Sequence, residues 1–466
     1  MLTKEKKGNI NTVLKLTMLT IMIIQIVLSI VWIVQNYTTI PIFGDTAEYL
    51  EISQTLQMDE YRPILYPLIL RWCTQLSNLI HMPYQVLIYT LQFVLSLISL
   101  FYTIRIIQKE ILDIPNSRRM IIRGLITATY LCSIPMITFM NFTVLTDSLA
   151  TSILVIILAE CGLLLLKSNT SLKHTVILIV LLIIESLLRS DRMYSCITLI
   201  AVIYIVRFIK YSKMRKSTLL AFLSVSVIVT ATVTTVNKHT QTPGLHGRIQ
   251  TNLEFVLLDR VVWPNMVNCY EYFPNNIKEI ITIEDATTFD SHNNNVMYQM
   301  APLIEGTVGR EKAKEMYLTM AKIVLKHQGG KVLIDTTEDI LTMFFTPFSS
   351  LLHHYNLCDK NDSWNIHCMS TATPNLTNIY NLYFHFSFLF LFMINFLYWL
   401  IYKIKRTPPN KCVTFTPYVI MSIILTLWFC IGDGAPPNSR YALIIYVAWG
   451  VWVTLLSKIW KGSSFN

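Results

Sequence analysis

The sequence predicts an all-α polytopic membrane protein of about ten transmembrane helices, with one helical segment outside the bilayer. Three observations carry this fold class. Of the 466 residues 53% are hydrophobic, and the mean hydropathy is +0.48. Only 14% are charged, against roughly 25% in an ordinary soluble protein. The apolar residues also run on unbroken over lengths near the roughly 20 residues that a spanning helix needs. They do not alternate in short segments, as the strands of a membrane barrel do. A soluble enzyme, a disordered regulator and a secreted disulfide scaffold are excluded.

Ten runs fit a span: 13–35, 84–104, 124–143, 148–166, 175–188, 193–209, 217–236, 381–402, 414–432 and 441–457. The first is too long for a signal peptide and no small-x-small cleavage site follows it, so it reads as an uncleaved span. The fifth is short and ends among Glu185, Arg189, Asp191 and Arg192, which suits a kinked or half-buried span. Cytoplasmic loops are enriched in Lys and Arg. With both termini cytoplasmic, the basic clusters at 4–15, 105–123, 167–173, 207–216, 403–411 and 458–461 fall on one side, and the short outer loops hold no lysine. The net charge of +10 is then a topology signal plus attraction to anionic headgroups. It does not indicate nucleic-acid binding.

The chain divides into an N-terminal membrane module, 1–236, an extracytoplasmic segment, 237–380, and a C-terminal membrane module, 381–466. The middle segment is too long for a connector. Residues 310–327 place Ala313, Met316, Met320 and Ile323 at helical spacing, and 332–346 place Leu333, Ile340, Leu341, Phe344 and Phe345 before Pro347. A small helical domain against the outer membrane face is expected, acting either as a lid or in the chemistry. Cys358 and Cys368 share this segment and are either a disulfide or two free thiols.

Transporters carry ionisable residues deep in the bilayer, where the substrate crosses. Here the mid-membrane is almost free of them, and the unusual charges gather at the outer surface: Asp45, Glu48, Arg62, Asp147, Arg189, Arg192, Asp433 and Arg440. A polar site at the outer lipid–water boundary suits an enzyme with a lipid-linked substrate. The first outer loop, 36–83, is the most informative stretch. Asp45 follows Gly44 and is placed to cap a helix over 46–57. Tyr61-Arg62-Pro63 follows, and Pro63-Ile64-Leu65-Tyr66-Pro67 leads back into an apolar helix.

These residues resemble the membrane-embedded GT-C glycosyltransferases, in the branch of protein O-mannosyltransferases and lipid A aminoarabinose transferases. Gly44-Asp45-Thr46-Ala47-Glu48-Tyr49 stands where that branch has an Asp opening the first outer loop, and Arg62-Pro63-Ile64-Leu65-Tyr66-Pro67 where it has a K/R-P-P-L-Y segment. Thr143-Val144-Leu145-Thr146-Asp147 matches a second Asp after the third span, and Ser439-Arg440-Tyr441 a late outer R-Y before the last span. Position 46 is Thr where the family often has Glu, and 237–380 resembles no acceptor-binding domain of that branch.

The resemblance implies transfer of a sugar from a polyprenyl-phosphate donor to a glycan, lipid or protein acceptor on the outer side, with inversion. It implies Asp45 as catalytic base. Arg440 comes first as support for the leaving phosphate, followed by Arg62 and Arg189, with Asp147, Glu48, Tyr66 and Tyr441 completing the donor site. Each has a plainer reading: Asp45 or Asp147 as a helix cap, Glu48 in an arginine pair, Arg62 as a headgroup anchor, Arg440 paired with Asp433, and Arg189 and Arg192 paired with Glu185 and Asp191. His292, His327, His353, His354 and His367 show no metal-ligand spacing, so no cofactor is expected, with a divalent metal left open. The location expected is the plasma or inner membrane, with the bilayer and the lipid-linked donor as partners and no nucleic acid. Two rival functions stand beside this one: an O-antigen ligase or polymerase using lipid-diphosphate glycan, and a flippase or transporter. The sugar, the acceptor and the oligomeric state are not legible in the sequence.

Overall fold

A computed structural model describes residues 44–58, 62–111, 140–167, 171–210, 215–241, 257–291 and 296–345, with single positions at 20, 23, 24, 27 and 128. The described chain is helical, and its one strand-like contact is an isolated bridge between Met58 and Gln241. The first helices are α1 (Gly44–Thr55), α2 (Leu65–Ile80), α3 (Tyr84–Ile106) and α4 (Asp147–Leu166). They are followed by α5 (Leu172–Leu188), α6 (Ser190–Lys210) and α7 (Arg215–Thr240). A second group comprises a π-helical turn at Leu257–Val262, short turns to 278, α8 (Ile283–Ser291), α9 (Val296–Val308) and α10 (Arg310–Phe345). Among the described residues, three stretches are long and apolar enough to cross a membrane: Tyr84–Glu110, Asp147–Leu165 and Lys216–Thr240. The helix α5 has 17 residues, about 26 Å at 1.5 Å per residue, slightly under a bilayer core of about 30 Å. The spans expected at 13–35, 124–143, 381–402, 414–432 and 441–457 lie wholly or mostly outside the described residues.

Local chemistry sets the helix ends. The helix α2 stops at His81, which takes a left-handed conformation (φ 54°, ψ 37°) and returns its N–H to Ser77 O, the αL form of C-cap. Pro83 then holds the N-cap of α3 (φ −54°, ψ 131°), where its missing N–H costs no helical hydrogen bond. Between α5 and α6 the chain breaks at Arg189, whose backbone is extended (φ −144°, ψ 121°). The C-terminus of α4 is closed by a side chain from another helix: Arg207 of α6 donates to Leu164 O and, at 2.6 Å, to Lys167 O. Carbonyls left over at a helix end need such a partner when buried.

The helix α4 is central, with α3, α5 and α6 packed around it. It is buried on nearly every side and mostly apolar, as a helix enclosed by neighbours is. The helix α7 is the opposite case. Val225, Val229 and Val233 face inward at helical spacing, while Leu219, Leu220, Leu223, Val227 and Ile228 remain exposed. Such an apolar face without protein cover suits lipid.

The second group has its own core. Val262, Met266, Cys269, Phe273 and Ile277 pack against Met300, Ile304, Tyr317, Met320 and Val324. A capping box starts α8: Asp285 N donates to Thr282 Oγ1 at 3.1 Å, and Thr282 N donates back to Asp285 Oδ2 at 2.9 Å. The two helices expected over 310–327 and 332–346 are the two arms of α10, which meet at a kink where Gln328 leaves the helical conformation (φ −127°, ψ 17°). Gly329-Gly330 follows the break, and two residues of low helix propensity explain why the helix bends there.

Tyr317 is fully buried in this core, and its hydroxyl donates to Glu305 Oε1 at 2.9 Å. Tyr317→Ala is expected to destabilise the 257–345 group by about 3–5 kcal/mol, and Tyr317→Phe by about 1 kcal/mol. Amide hydrogen exchange on the full chain, followed over 296–324, measures both.

Candidate functional site

The first outer loop folds around one arginine. On α1, Asp45, Glu48 and Tyr49 occupy positions i, i+3 and i+4, so all three point to one side of the helix. Arg62 is buried and engages all three. Its Nη2 donates to Asp45 Oδ1 at 2.8 Å and to Glu48 Oε2 at 3.0 Å, and its Nε donates to Glu48 Oε2 at 3.2 Å. Its Nη1 donates to Tyr49 Oη at 3.3 Å, and the guanidinium carbon lies 4.8 Å from the Tyr49 ring centroid. The planar fork of arginine allows these contacts together. Asp45 lies in the first described turn of α1, with its carboxylate turned to Arg62.

Tyr49 carries the contact inward. Its ring meets Tyr66 edge-on at 5.0 Å between centroids, a favoured aromatic geometry. Tyr66 is fully buried, and its hydroxyl donates to Gln92 Oε1 at 3.3 Å. Burial, with Tyr49 and Asp147 nearby, pushes the Tyr66 phenol well above its ordinary value, so it remains a hydroxyl donor. Gln92 Nε2 in turn donates to Asn141 O at 2.8 Å and Thr143 O at 2.9 Å.

The stretch 142–146 is not helical and leads into α4 at Asp147. The loop helix α1 docks on it: Thr46 Oγ1 donates to Val144 O at 3.2 Å, and Tyr49 Oη lies 3.5 Å from Thr146 Oγ1. Asp147 is 1% exposed and receives Arg189 Nη1 at 3.0 Å from the break between α5 and α6. Thr146 holds the N-cap position without a side-chain cap bond, so Asp147 serves in the ion pair and not as a cap. Glu185, four residues before Arg189, receives Arg192 Nη1 at 3.2 Å, and both are buried.

The sequence-derived residues Asp45, Glu48, Arg62 and Tyr66 are thus one cluster, and Asp147 with Arg189 is a second. Thr46 and Tyr49 join them. Arg440, Tyr441 and Asp433 lie outside the described residues, as do Cys358, Cys368, His292, His353, His354 and His367. His327 stacks on Tyr272 with ring centroids 3.8 Å apart. Among the described residues no three His, Cys, Asp or Glu side chains are grouped to hold a metal.

Gln92, Ser96, Ser99 and Thr103 are functional-looking residues that a reading centred on charge passes over. Their spacing of four, three and four puts them on one face of α3. All four are buried, and three bond to α4: Ser96 Oγ donates to Asn141 Oδ1 at 2.8 Å and lies 2.9 Å from Ser152 Oγ, Ser99 Oγ donates to Ser152 O, and Thr103 Oγ1 donates to Val155 O at 3.4 Å. At the far end of the same seam Glu160 is fully buried, with Tyr102 Oη donating to Oε1 at 2.8 Å and His174 Nδ1 lying 2.8 Å from Oε2.

A scan against protein-family models, a search of curated proteins and a search of solved structures each found no match.

Removing one partner of a buried ion pair leaves a charge without its counterion. Arg189→Ala is expected to destabilise the protein by about 3 kcal/mol. Arg189→Ala with Asp147→Asn is expected to recover part of that loss. Thermal unfolding of the two single variants and the double variant in detergent gives the coupling; additive losses would show that the pair does not interact.

Proposed function

We propose that this chain is an integral-membrane glycosyltransferase of about ten spans with both termini cytoplasmic. It transfers a sugar from a polyprenyl-phosphate donor to a glycan, lipid or protein acceptor on the outer side. The observation that carries the reading is the unequal exposure of the clustered carboxylates. The Asp45 side chain is 34% exposed, against 12% for Glu48, 2% for Asp147 and 0% for Glu185. Asp45 is the accessible carboxylate of the group, and Arg62 fixes its direction.

The chemistry proposed needs one such group. The acceptor hydroxyl oxygen attacks the anomeric carbon, and Asp45 takes its proton. The bond from that carbon to the phosphate oxygen breaks, and the electron pair leaves with the polyprenyl phosphate. That leaving group is a stable anion, so no acid is required, unlike the two-carboxyl arrangement of glycosidases. Attack from the face opposite the phosphate inverts the anomeric centre. Arg62 organises Asp45 and Glu48. Support of the leaving phosphate is assigned to Arg440, with Arg189 as a second candidate, because arginine holds two phosphate oxygens at once.

Membranes containing the wild-type chain are expected to transfer sugar from one member of a panel of radiolabelled polyprenyl-phosphate sugars. Asp45→Asn keeps the size of the side chain but cannot take a proton. It is expected to lower the rate by about a hundredfold or more while accumulating normally. An Asp45→Asn protein as active as the wild type would overturn the assignment and favour a ligase using lipid-diphosphate glycan.

A further inference from the structure

We infer that Gln92 is a positioning residue for the transfer site, pinning the non-helical 142–146 stretch to the first outer loop and so fixing Asp147 relative to Asp45. The catalytic half of this inference rests on the glycosyltransferase reading; the pinning does not.

Gln92 lies eight residues into α3, roughly 12 Å along its axis. An amide buried there is costly unless each of its hydrogen-bonding atoms finds a partner. Gln92 meets that condition with contacts to two different parts of the site. Its oxygen takes the Tyr66 hydroxyl at 3.3 Å, on the side of the cluster that runs through Tyr49 to Arg62 and Asp45. Its nitrogen gives both protons to the carbonyls of Asn141 and Thr143, at 2.8 and 2.9 Å. Those carbonyls lie just ahead of α4 and Asp147. Thr143 O lies in the non-helical stretch and Asn141 O just ahead of it, where backbone carbonyls lack helical partners, so Gln92 holds the segment at these two carbonyls and Thr46 holds it at a third, Val144 O. The Tyr49 hydroxyl also links the two groups, taking Arg62 Nη1 at 3.3 Å and lying 3.5 Å from Thr146 Oγ1, but Gln92 is the side chain that bonds backbone carbonyls on the 142–146 side. Leu or Glu at the same place would fill the volume, but neither donates two protons.

The test has two arms, both on the full chain in lipid nanodiscs. The first is amide hydrogen exchange over 140–150 in wild type, Gln92→Glu and Gln92→Leu. Loss of two hydrogen bonds is expected to speed exchange there by about ten- to a hundredfold, with 84–106 unchanged. The second is kinetic. Gln92→Glu is expected to lower kcat by about a hundredfold, the scale set by misplacement of a reacting group, with KM for the donor within about threefold of wild type. Tyr66→Phe removes the loop-side bond alone, and is expected to lower kcat by less while leaving exchange over 140–150 as in wild type. If Gln92→Glu fails to accumulate, Gln92→Leu and Tyr66→Phe decide between the same outcomes. Unchanged exchange over 140–150 overturns the pinning. Faster exchange with kcat unchanged overturns the positioning role and leaves Gln92 as core packing. Absence of transfer by the wild-type chain sinks the glycosyltransferase reading and the catalytic half with it, while the exchange arm still decides the pinning.

Discussion

The described helices are organised by the cost of placing a polar group where no water can reach it. A continuous helix satisfies its own backbone, so the cost falls on side chains and on every interruption of the helix. This chain has both kinds of polar demand in one place. The backbone departs from the helix at 142–146, and Gln92 and Thr46 supply the missing donors. Arg62, Arg189 and Arg192 each meet a carboxylate brought in from elsewhere in the chain or from the preceding helix. Because each contact joins different segments, meeting the polar demand also fixes how α1 to α6 sit together.

The two ends of α4 answer that demand differently. At the Asp147 end the answer is ionic, spread over three arginines, and it reaches solvent at Asp45. At the Glu160 end the answer is a closed set of neutral and ionisable groups, with Tyr102 and His174 on the carboxylate and Arg207 on the last carbonyls. One end therefore offers charge that an incoming anion or hydroxyl can meet, and the other consumes its polarity internally. Each end of α4 carries one buried carboxylate, Asp147 or Glu160, so the difference comes from the partners each meets.

Much of this was legible in the sequence, for stated physical reasons. Apolar run length places α3, α4, α5, α6 and α7 within a few residues, since nothing else in the chain competes with a 20-residue hydrophobic stretch. The helices of the first outer loop also follow, from Gly44-Asp45 at one start and Pro63 ahead of the other. Partner choice was less legible. Glu185 and Arg189 stand four apart on a helix and suggest a local pair, yet the extended backbone at Arg189 ends the helix and turns its side chain to Asp147. The break at Gln328 was legible, because the apolar pattern stops at 327 and restarts at 332 across Gly329-Gly330. Gln92 was hidden because a lone amide in an apolar run carries no charge to count, although its register with Ser96, Ser99 and Thr103 marks a polar face.

The contrast between α4 and α7 has a consequence for how freely the sequence can change. In α4, 89% of the apolar window is covered by protein, and in α7 only 17%. A substitution in α4 meets close-packed neighbours whichever way the side chain points, so size and shape are constrained at nearly every position. In α7 most positions ask only that the residue be apolar, and Leu, Ile, Val and Phe are interchangeable there. Among homologues of this chain, α4 would therefore hold its residues while α7 drifts within one chemical class. A conserved position on the uncovered face of α7 would mark something other than packing.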